Sequence, residues 1–486
     1  MKFSKMILAV LAASSLVFSS CEDDDVPAEA VYSVPTVTSA SSDATNVDAG
    51  TTGSSVTFNV SVDSDLTATY EATGSGVTIS NASGTVTGNT VSITFDAGST
   101  AGAASINLVV TDSEGQSTQA TAVINVGAVA TEVTLTSNIS ADATWTADKV
   151  YILGGRITVE SGATLTIEAG TIIKGQAGTG ANATALLVAR GGKIMAEGTA
   201  TSPIIFTSVA DEISQDDITA GNFASPNLDP DVNGLWGGVI VLGNAPISAS
   251  NSSGDVSEVQ IEGIPTSDPN GLYGGSDAAD NSGVLKYISI RHGGANIGAG
   301  NEINGLTLGG VGTGTVIENI EVVANQDDGI EWFGGTVNVS NVVVWNVGDD
   351  GIDTDQAWTG TLSNFAVITV SGHCFELDGP EGSTTGSHTI QNGYINAAGS
   401  EDLINTDENS GVALKNLYFV GVGADQKINR VTAPAVTFEG IELSVDASAL
   451  ASHVNGEVPA GVTAGTTNSA DLSVLSWTWA SQSGNL

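Results

Sequence analysis

The chain has 486 residues, of which 12 are Lys or Arg and 54 are Asp or Glu, giving a formal net charge of −42. This charge repels nucleic acid and anionic membrane surfaces and argues against both as partners, whereas it favours cations. Two cysteines, Cys21 and Cys374, do not make a disulfide framework, and the length suits a small domain followed by a long solenoid.

Residues 1–20 have the pattern of an export signal, with Lys2 and Lys5 followed by an apolar run too short to span a membrane. The sequence FSSC, ending at Cys21, resembles a bacterial lipobox, which implies lipid attached to Cys21. The alternative is an ordinary secreted protein with a chance cysteine. Residues 21–31 form an acidic tether. Its EDDD sequence resembles the signal that sends lipoproteins of the Bacteroidota to the outer face of the outer membrane.

Residues 32–127 contain short segments in which apolar and polar residues alternate, separated by clusters of Gly, Ser, Asn and Asp. Examples are SVTFNVSV at 55–62 and SINLVV at 105–110. Several such strands over this length predict an Ig-like β-sandwich. The segment lacks the Cys…Trp…Cys core of antibody domains and carries no chemical motif, so we interpret it as a spacer.

Residues 128–430 are predicted to form a right-handed parallel β-helix. Between Val316 and Gly411 near-copies of one strand pattern recur, and an asparagine marks each copy at intervals of 22, 23, 28 and 24 residues: Asn319, Asn341, Asn364, Asn392 and Asn416. A repeat of this length without helical spacing is typical of stacked β-coils with a continuous core. The aligned asparagines predict an internal ladder of side-chain amides at a tight bend, with Tyr287 in the equivalent position of an earlier coil.

Two segments interrupt the repeat, and a third follows it. Residues 209–233 and 249–283 are polar and are predicted as long loops that leave the solenoid. Residues 431–486 are predicted as C-terminal coils and a cap. An exposed end of a solenoid invites aggregation, so Trp477 and Trp479 are expected to cover it.

An acidic column is predicted on one face of the coils. If Ile330, Ile352, Phe375 and Ile404 point inward, strand alternation turns a register of acidic residues outward: Glu331, Asp353 and Glu376, with Asp355, Asp378 and Asp407 two positions on. Like charges on coils about 4.8 Å apart need relief. Raised pKa values, solvent screening or a bound Ca²⁺ would each supply it, and a solvated acidic surface is the alternative to a metal site.

A catalytic interpretation rests on three strings that end at Asp327 (NQD), Asp350 (DD) and His373 (SGH). In order and spacing they resemble motifs of the polygalacturonases, which imply hydrolysis by paired carboxylates. In that resemblance Asp349 or Asp350 is the acid, Asp327 and the other aspartate are the bases, and His373 supports them. The family's Arg-x-Lys motif is missing, which puts a uronate substrate in doubt. Asp-Asp-Gly is also a common turn sequence.

The remaining candidates have ordinary interpretations. Cys374 lies at an apolar strand position and is predicted as a small buried side chain. Three tryptophans, Trp332, Trp345 and Trp358, recur at intervals of 13, and packing in the core or in turns is favoured over carbohydrate stacking. Two histidines, His292 and His388, are interpreted as loop residues.

Several strings across residues 145–486 resemble a large group of surface β-helix proteins of the Bacteroidota, many of them lipoproteins. They include GATLTIEAGTIIKG, GLWGGVIVLG, DDGIEWFGGTV and SWTWAS. The resemblance implies fold and location. We therefore expect a lipid-anchored protein on the extracellular face of the outer membrane, whose β-helix binds a glycan or a surface protein and does not bind nucleic acid. A polysaccharide-degrading enzyme and a structural component of an outer-membrane complex are the alternatives.

Overall fold

The computed structural model describes residues 32–39, 45–127, 132–298 and 302–486. The predicted signal, the tether and Cys21 lie outside this part of the chain. The chain divides into two compact units, Met1–Val129 and Ala130–Leu486. Within the described residues, no helix combines the length and apolar character needed to cross a bilayer.

The described part of the first unit forms two sheets around one apolar core. Its strands are β1 (Thr36–Ser39), β2 (Thr45–Asp48), β3 (Ser54–Ser61), β4 (Ala68–Ser75), β5 (Val77–Ile79), β6 (Ser83–Thr85), β7 (Thr90–Ala97), β8 (Gly102–Asp112) and β9 (Ser117–Gly127). The sheet orders are β1-β3-β7-β5 and β2-β9-β8-β4-β6. Alternate residues such as Phe58, Phe95 and Leu108 are fully buried between them. This is a two-layer sandwich, and its immunoglobulin type stays a prediction.

The second unit begins with short strands separated by turns and two insertions. These are β10 (Glu132–Leu135), β11 (Ala143–Trp145), β12 (Val150–Leu153), β13 (Arg156–Val159), β14 (Thr164–Ile167), β15 (Ile172–Gly175), β16 (Ala185–Val188), β17 (Lys193–Glu197), β18 (Ile204–Ser208), β19 (Val239–Leu242), β20 (Ala249–Asn251), β21 (Gly254–Val256), β22 (Val259–Gln260) and β23 (Leu272–Tyr273). Helix α1 (Gln215–Ala220) lies in the first insertion, and its Ser214 N-cap forms a capping box with Asp217.

Longer strands follow in the region of the asparagine repeat. These are β24 (Gly283–Arg291), β25 (Leu306–Gly309), β26 (Val316–Val323), β27 (Ile330–Phe333), β28 (Val339–Trp345), β29 (Ile352–Asp355), β30 (Thr361–Ile368), β31 (Phe375–Leu377), β32 (His388–Asn396), β33 (Asn405–Thr406), β34 (Val412–Val420), β35 (Val436–Leu443) and β36 (Val462–Ala464). The last element is α2 (Trp479–Gln482), and the described residues include 3-10 turns at Gly180–Asn182, Pro269–Gly271, Leu450–His453 and Leu472–Leu475.

Two parallel sheets run along the solenoid. The long sheet has the order β10-β12-β15-β18-β24-β26-β28-β30-β32-β34-β35-β36, joined by β11, β14 and β17, and the short sheet has the order β13-β16-β19-β25-β27-β29-β31-β33. Each strand pairs in parallel with the strand one coil later. The inward residues form one apolar cluster that includes Ile330, Ile352, Phe375 and Ile404, all fully buried. The predicted all-β parallel β-helix is confirmed.

The asparagine repeat marks a left-handed bend within the long sheet. The five residues have φ values of 60°, 58°, 55°, 59° and 52°: Asn319, Asn341, Asn364, Asn392 and Asn416. Among non-glycine residues asparagine tolerates this region best, which explains its recurrence. Tyr287 has the same conformation, with φ 51°.

The amide ladder lies outside the core, so the predicted internal position is wrong. Asn364 Nδ2 donates to Asn341 Oδ1 at 2.9 Å, and Asn416 donates to Asn392 at 3.1 Å. The residues that flank the bend, such as Leu362 and Phe365, fill the interior. The bend residue is therefore left on the outer side, where Asn364 also accepts a hydrogen bond from Asp471 N at 2.6 Å.

Replacing Asn364 tests the bend. Asn364→Ala should lower the free energy of unfolding by about 1–3 kcal/mol. The substitution removes the side-chain hydrogen bonds, and alanine, unlike asparagine, has no polar side chain to stabilise the left-handed conformation locally. Asn364→Gly loses the same hydrogen bonds but accepts the positive φ. Urea unfolding that shows glycine to be no better than alanine would contradict the conformational argument.

The C-terminal strap, residues 471–486, lies against the outer side of the long sheet. Trp479 packs edge-on against Trp345, with ring centroids 5.6 Å apart, and Ala480 N donates to Glu321 Oε1 at 3.0 Å. Beneath it Arg291, itself fully buried, lies 5.0 Å from the Trp479 ring. The prediction that this segment caps the end of the solenoid is thus wrong. The strap instead covers apolar residues that point outward from the middle coils.

The two insertions also cover outward apolar faces. In the first, Ile213, Ile218 and Phe223 pack on Ile172 and Ile205 of the long sheet. The second insertion lies on the short sheet, where its buried side chains meet the outward residues of β16, β19 and β27: Ile261, Ile264 and Tyr273 against Leu187, Ile240, Leu242 and Phe333. The short sheet is therefore apolar and covered over its first coils.

Candidate functional site

The later coils of the short sheet turn acidic side chains outward. The register pairs Glu331 with Asp353 and Asp353 with Glu376, and continues to Asn405. This row is here called the acidic face, together with Asp355, Asp378 and Asp407, which follow in the same coils. Glu331 is buried at 6% exposure, whereas Asp353, Glu376 and Asp378 are half-buried. Strand alternation places them outside because their neighbours fill the core.

The turns before these strands bring three aspartates together. One carboxylate oxygen each from Asp327, Asp328 and Asp349 lies within 4.8 Å of the other two. Asp350 N donates to Asp328 Oδ1 at 2.9 Å, which joins the turns of successive coils. Asp349 is exposed, whereas Asp328 and Asp350 are buried. Asp327 and Asp349 are thus the members of this group with the most access to solvent.

A second group centres on Asp350. His373 Nδ1 lies 3.1 Å from Asp350 Oδ1, and the His373 backbone N–H donates to the same oxygen. An oxygen of Glu376 lies within 4.8 Å of both. The four residues of the catalytic prediction therefore lie in adjoining clusters on neighbouring coils, and Glu376 joins them to the acidic face.

The surroundings of these groups give them different pKa values. Burial, and then the charges of Glu262 and Asp349, raise the pKa of Asp327 to about 7. Burial acts to raise the pKa of Asp350, but hydrogen bonds from His373 and Glu376 outweigh it, and the net effect is to lower that pKa. The same hydrogen bond raises the pKa of His373 to about 9. At neutral pH Asp350 and His373 therefore form an ion pair.

The acidic face carries protons near neutral pH. A hydrogen bond to Asp350, then burial, raises the pKa of Glu376 to about 8. Burial and neighbouring carboxylates raise the pKa of Asp355 to about 7 and that of Asp378 to about 6. Burial also raises the pKa values of Asp328, Glu331 and Asp353 well above the ordinary range. Repulsion between coils is therefore relieved in part by protonation.

A third group has the chemistry of a calcium site. Oxygens of Asp328, Glu331 and Asp353 lie within 4.8 Å of one another. Asn304, exposed to only 1%, donates from Nδ2 to Glu331, and its buried Oδ1 has no hydrogen-bond partner among the described residues. Carboxylate and amide oxygens are the ligands that Ca²⁺ prefers, so these residues fit that ion.

The metal prediction and this group overlap only in part. Glu331 and Asp353 belong to it, whereas Asp355, Glu376 and Asp378 do not, and Asp407 pairs instead with Arg430 at 3.3 Å. Sequence reasoning did not include Asp328 as a candidate metal ligand or Asn304 as a neighbour of this group. Asp328 had a signal, since it repeats the turn position of Asp350. Asn304 had none, because an irregular segment supplies it.

The structure also decides the aromatic and histidine interpretations. Trp332 and Trp358 are buried and stacked, with centroids 4.7 Å apart, so core packing is correct. His388 is not a loop residue: it begins β32, is buried and lies 4.9 Å from the Trp358 ring. His292 is buried as well, beside Trp479. Cys374 is fully buried, as predicted, and burial raises its pKa to about 12.

Two solved structures share similarity with the chain. One is a family 28 exopolygalacturonase of Yersinia enterocolitica, with 11% identity, 82% of this chain and 86% of that chain covered, and a TM-score of 0.21. The other is the catalytic unit of a GH87 α-1,3-glucanase of Streptomyces thermodiastaticus strain HF3-3, with 11% identity, coverages of 89% and 96%, and a TM-score of 0.21. With TM-scores this low, neither similarity bears on the function of this chain.

The family is decided by a sequence comparison. A search of curated protein sequences finds no match. The family model described as "Pectate-lyase like beta helix domain" matches residues 137–221 and 223–458, about two thirds of the chain. This range contains the parallel coils from β11 to β35 and every residue of the acidic clusters. The chain therefore belongs to the family of pectate-lyase-like β-helix domains.

Proposed function

We propose that the protein hydrolyses glycosidic bonds of a polysaccharide at the acidic clusters of the short sheet. The observation that supports this most is the convergence of Asp327 and Asp349 beside the Asp350–His373 pair. Two carboxyl groups that differ in protonation are what glycoside hydrolysis requires. Membership of a pectate-lyase-like family is consistent with a carbohydrate substrate.

The roles differ from those implied by the polygalacturonase resemblance. Asp350 is buried and ionised, so it is unsuited to donate a proton, and we assign it to positioning together with His373. Asp327, with a pKa of about 7, is the proton donor to the leaving oxygen. Asp349 is exposed and acts on the sugar carbon. Burial, and then the charge of Asp350, raise the pKa of Asp349, and the His373 imidazolium opposes this rise by favouring the ionised form.

The spacing of the carboxyl groups predicts the stereochemistry. The nearest oxygens of Asp327 and Asp349 lie within 4.8 Å, closer than the roughly 6.5–9.5 Å that leaves room for a water in inverting enzymes. We therefore expect retention of the anomeric configuration, through a covalent glycosyl intermediate on Asp349. Proton NMR of the first product from an active member of a plant and marine polysaccharide panel measures this. Initial release of the inverted anomer would overturn the assignment of Asp349 as nucleophile.

A second candidate is calcium-dependent glycan binding without turnover, on the lipid-anchored platform that the sequence favours. The group Asp328, Glu331, Asp353 and Asn304 supports it, because a buried amide oxygen without a donor suits a cation. Binding of a polysaccharide that Ca²⁺ enables and chelator abolishes, without release of reducing ends, would favour this function over hydrolysis. Pull-down from intact membranes tests the structural-component alternative.

The proposed location rests on the lipobox and the acidic tether. We expect Cys21 to carry lipid and to hold the protein on the extracellular face of the outer membrane of a bacterium of the Bacteroidota. Cys21→Ala should move the protein from the membrane fraction to the soluble fraction, and protease added to intact cells should degrade the unsubstituted protein. Continued sedimentation of Cys21→Ala with membranes would show that the cysteine is not the anchor.

A further inference from the structure

The acidic face has almost no positive charge of its own. Among the described Lys, Arg and His side chains, His373 and Arg430 contact its carboxylates, and both are already paired, with Asp350 at 3.1 Å and Asp407 at 3.3 Å. A uronate-containing chain would therefore be repelled by the ionised members of the row and would find no free cationic group there to hold its sugar carboxylates. The ligand itself must bring positive charge or hydrogen-bond donors.

A buried amide supports the same requirement. Asn304 lies against Glu331 through its Nδ2, and its Oδ1 has no partner among the described residues although the side chain is 1% exposed. A buried acceptor without a donor costs free energy unless a ligand supplies one. The buried end of the acidic face therefore holds, beside Glu331, an acceptor that lacks a donor among the described residues.

The length of the acidic face indicates whether its ligand is a single ion or an extended molecule. Asp328, Glu331 and Asp353 suffice for one cation, whereas Asp355 and Asp378 lie outside that group and are open to solvent in part. Adjacent coils are about 4.8 Å apart, so carboxylates recur along the solenoid axis at a short, even spacing. A linear polymer with repeated positive groups matches this row, and one metal ion does not.

We propose that the polysaccharide bound at the acidic face is an amino-sugar polymer with free amines, whose ammonium groups pair with carboxylates on successive coils. This inference rests on the proposed carbohydrate function and names its substrate class. It places Asp355 and Asp378 as specificity-determining residues, away from the Asp327–Asp349 pair.

The test compares ligands of equal length by isothermal titration calorimetry, at neutral pH and low ionic strength with a chelator present. The probes are glucosamine oligomers, their N-acetylated counterparts and galacturonate oligomers, and Asp349→Asn is used to prevent turnover. Glucosamine oligomers should bind at least about tenfold more tightly than either counterpart, and added salt should weaken this binding. Equal affinity for the acetylated oligomers, or no binding of the amine form, would overturn the proposal.

Variants locate the binding. In the same Asp349→Asn background, Asp355→Asn/Asp378→Asn should weaken glucosamine binding by roughly tenfold or more. The double substitution relieves repulsion between coils, so the protein should remain folded, and a melting curve measures this. Glu197→Gln/Glu439→Gln removes equal charge from exposed positions of the long sheet and should bind as the background does. Equal loss in both pairs would mean attraction by net charge alone and would overturn the assigned residues.

Hydrolysis is measured separately with the unsubstituted protein. Glucosamine binding without cleavage of any polymer would refute the proposed hydrolase and leave the amino-sugar assignment standing. Cleavage of a neutral or acidic polymer, with no glucosamine binding, would do the reverse.

Discussion

Raising the pH from about 5 to 9 is expected to lower the free energy of unfolding of the β-helix unit by on the order of 5 kcal/mol. The cause is the set of carboxyl groups whose pKa values are raised in the folded state: Asp378 to about 6, Asp327 and Asp355 to about 7, and Glu376 to about 8. A group with a raised folded pKa contributes its stability at low pH and loses it as the pH rises through that value.

The Asp350–His373 pair affects stability at the two ends of the pH range. His373 also has a raised pKa, about 9, so its contribution is lost on the alkaline side. Asp350 has a lowered pKa, and its contribution is lost only in acid. The shifts of Asp327 and Asp355 taken alone each correspond to about 4 kcal/mol. Glu376, Asp378 and His373 are partly exposed, so solvent screening reduces their contributions. Groups in one cluster also titrate together and share protons, which reduces the sum. Stability should therefore peak near pH 5.

Urea unfolding at fixed ionic strength, followed by tryptophan fluorescence, measures this dependence. Asp353→Asn removes one charge from the centre of the row and should flatten the decline above pH 6, whereas Glu439→Gln on the exposed face of the long sheet should not change it. A free energy of unfolding that stays constant or rises between pH 5 and 9 would contradict the folded-state pKa values and the buried placement of these carboxyl groups.

Calcium should oppose the alkaline decline. An ion held by Asp328, Glu331, Asp353 and Asn304 requires ionised carboxylates, so it should stabilise the protein at pH 8 and have little effect at pH 5. At a hundredfold excess over its Kd the gain is about 2.7 kcal/mol. Asp328→Asn/Asp353→Asn should abolish the gain. Equal stabilisation by Na⁺ at matched ionic strength would leave only general screening.

The fold was largely predictable because its signals are local and repeated. An asparagine every coil marks a position with φ near 55°, and apolar residues on either side, such as Leu362 and Phe365, point to one interior. The repeat does not predict the hydrogen bond between Asn364 and the strap, because Asp471 lies more than a hundred residues away in sequence.

The site was predictable in its centre and not at its edges. Asp327 and Asp349 share one position of successive coils, and Asp350 and His373 share the next, so register alone brings the four together. Asn304, Glu262 and Glu302 come from irregular segments and insertions, and no spacing rule places their side chains beside Asp327 or Glu331. For the same reason Trp479, expected at the end of the solenoid, lies on its side: its partners Arg291 and Trp345 are joined only by the fold.

Asp349→Asn and Asp327→Asn are each expected to lower kcat on the cleaved polysaccharide by about 10²–10⁴-fold, with a smaller change in KM. Both substitutions keep the side-chain shape but remove the group that transfers a proton or attacks the sugar carbon. The two should differ in leaving-group dependence. Asp327→Asn should retain activity on an aryl glycoside whose phenolate leaves without a proton, whereas Asp349→Asn should be inactive on both substrates, since it lacks the nucleophile.

Two further variants test whether a residue positions the reacting groups or takes part in the reaction. His373→Ala removes the partner that lowers the pKa of Asp350, and it should shift the pH profile of kcat/KM as well as reduce it, because the charge beside Asp349 changes. Glu439→Gln, on the exposed face of the long sheet and away from the acidic face, is the control of equal charge change and should leave the hydrolysis of the aryl glycoside unchanged. If Glu439→Gln and Asp349→Asn lose that activity equally, general charge and not paired carboxyl chemistry governs the site, and hydrolysis by Asp327 and Asp349 is refuted.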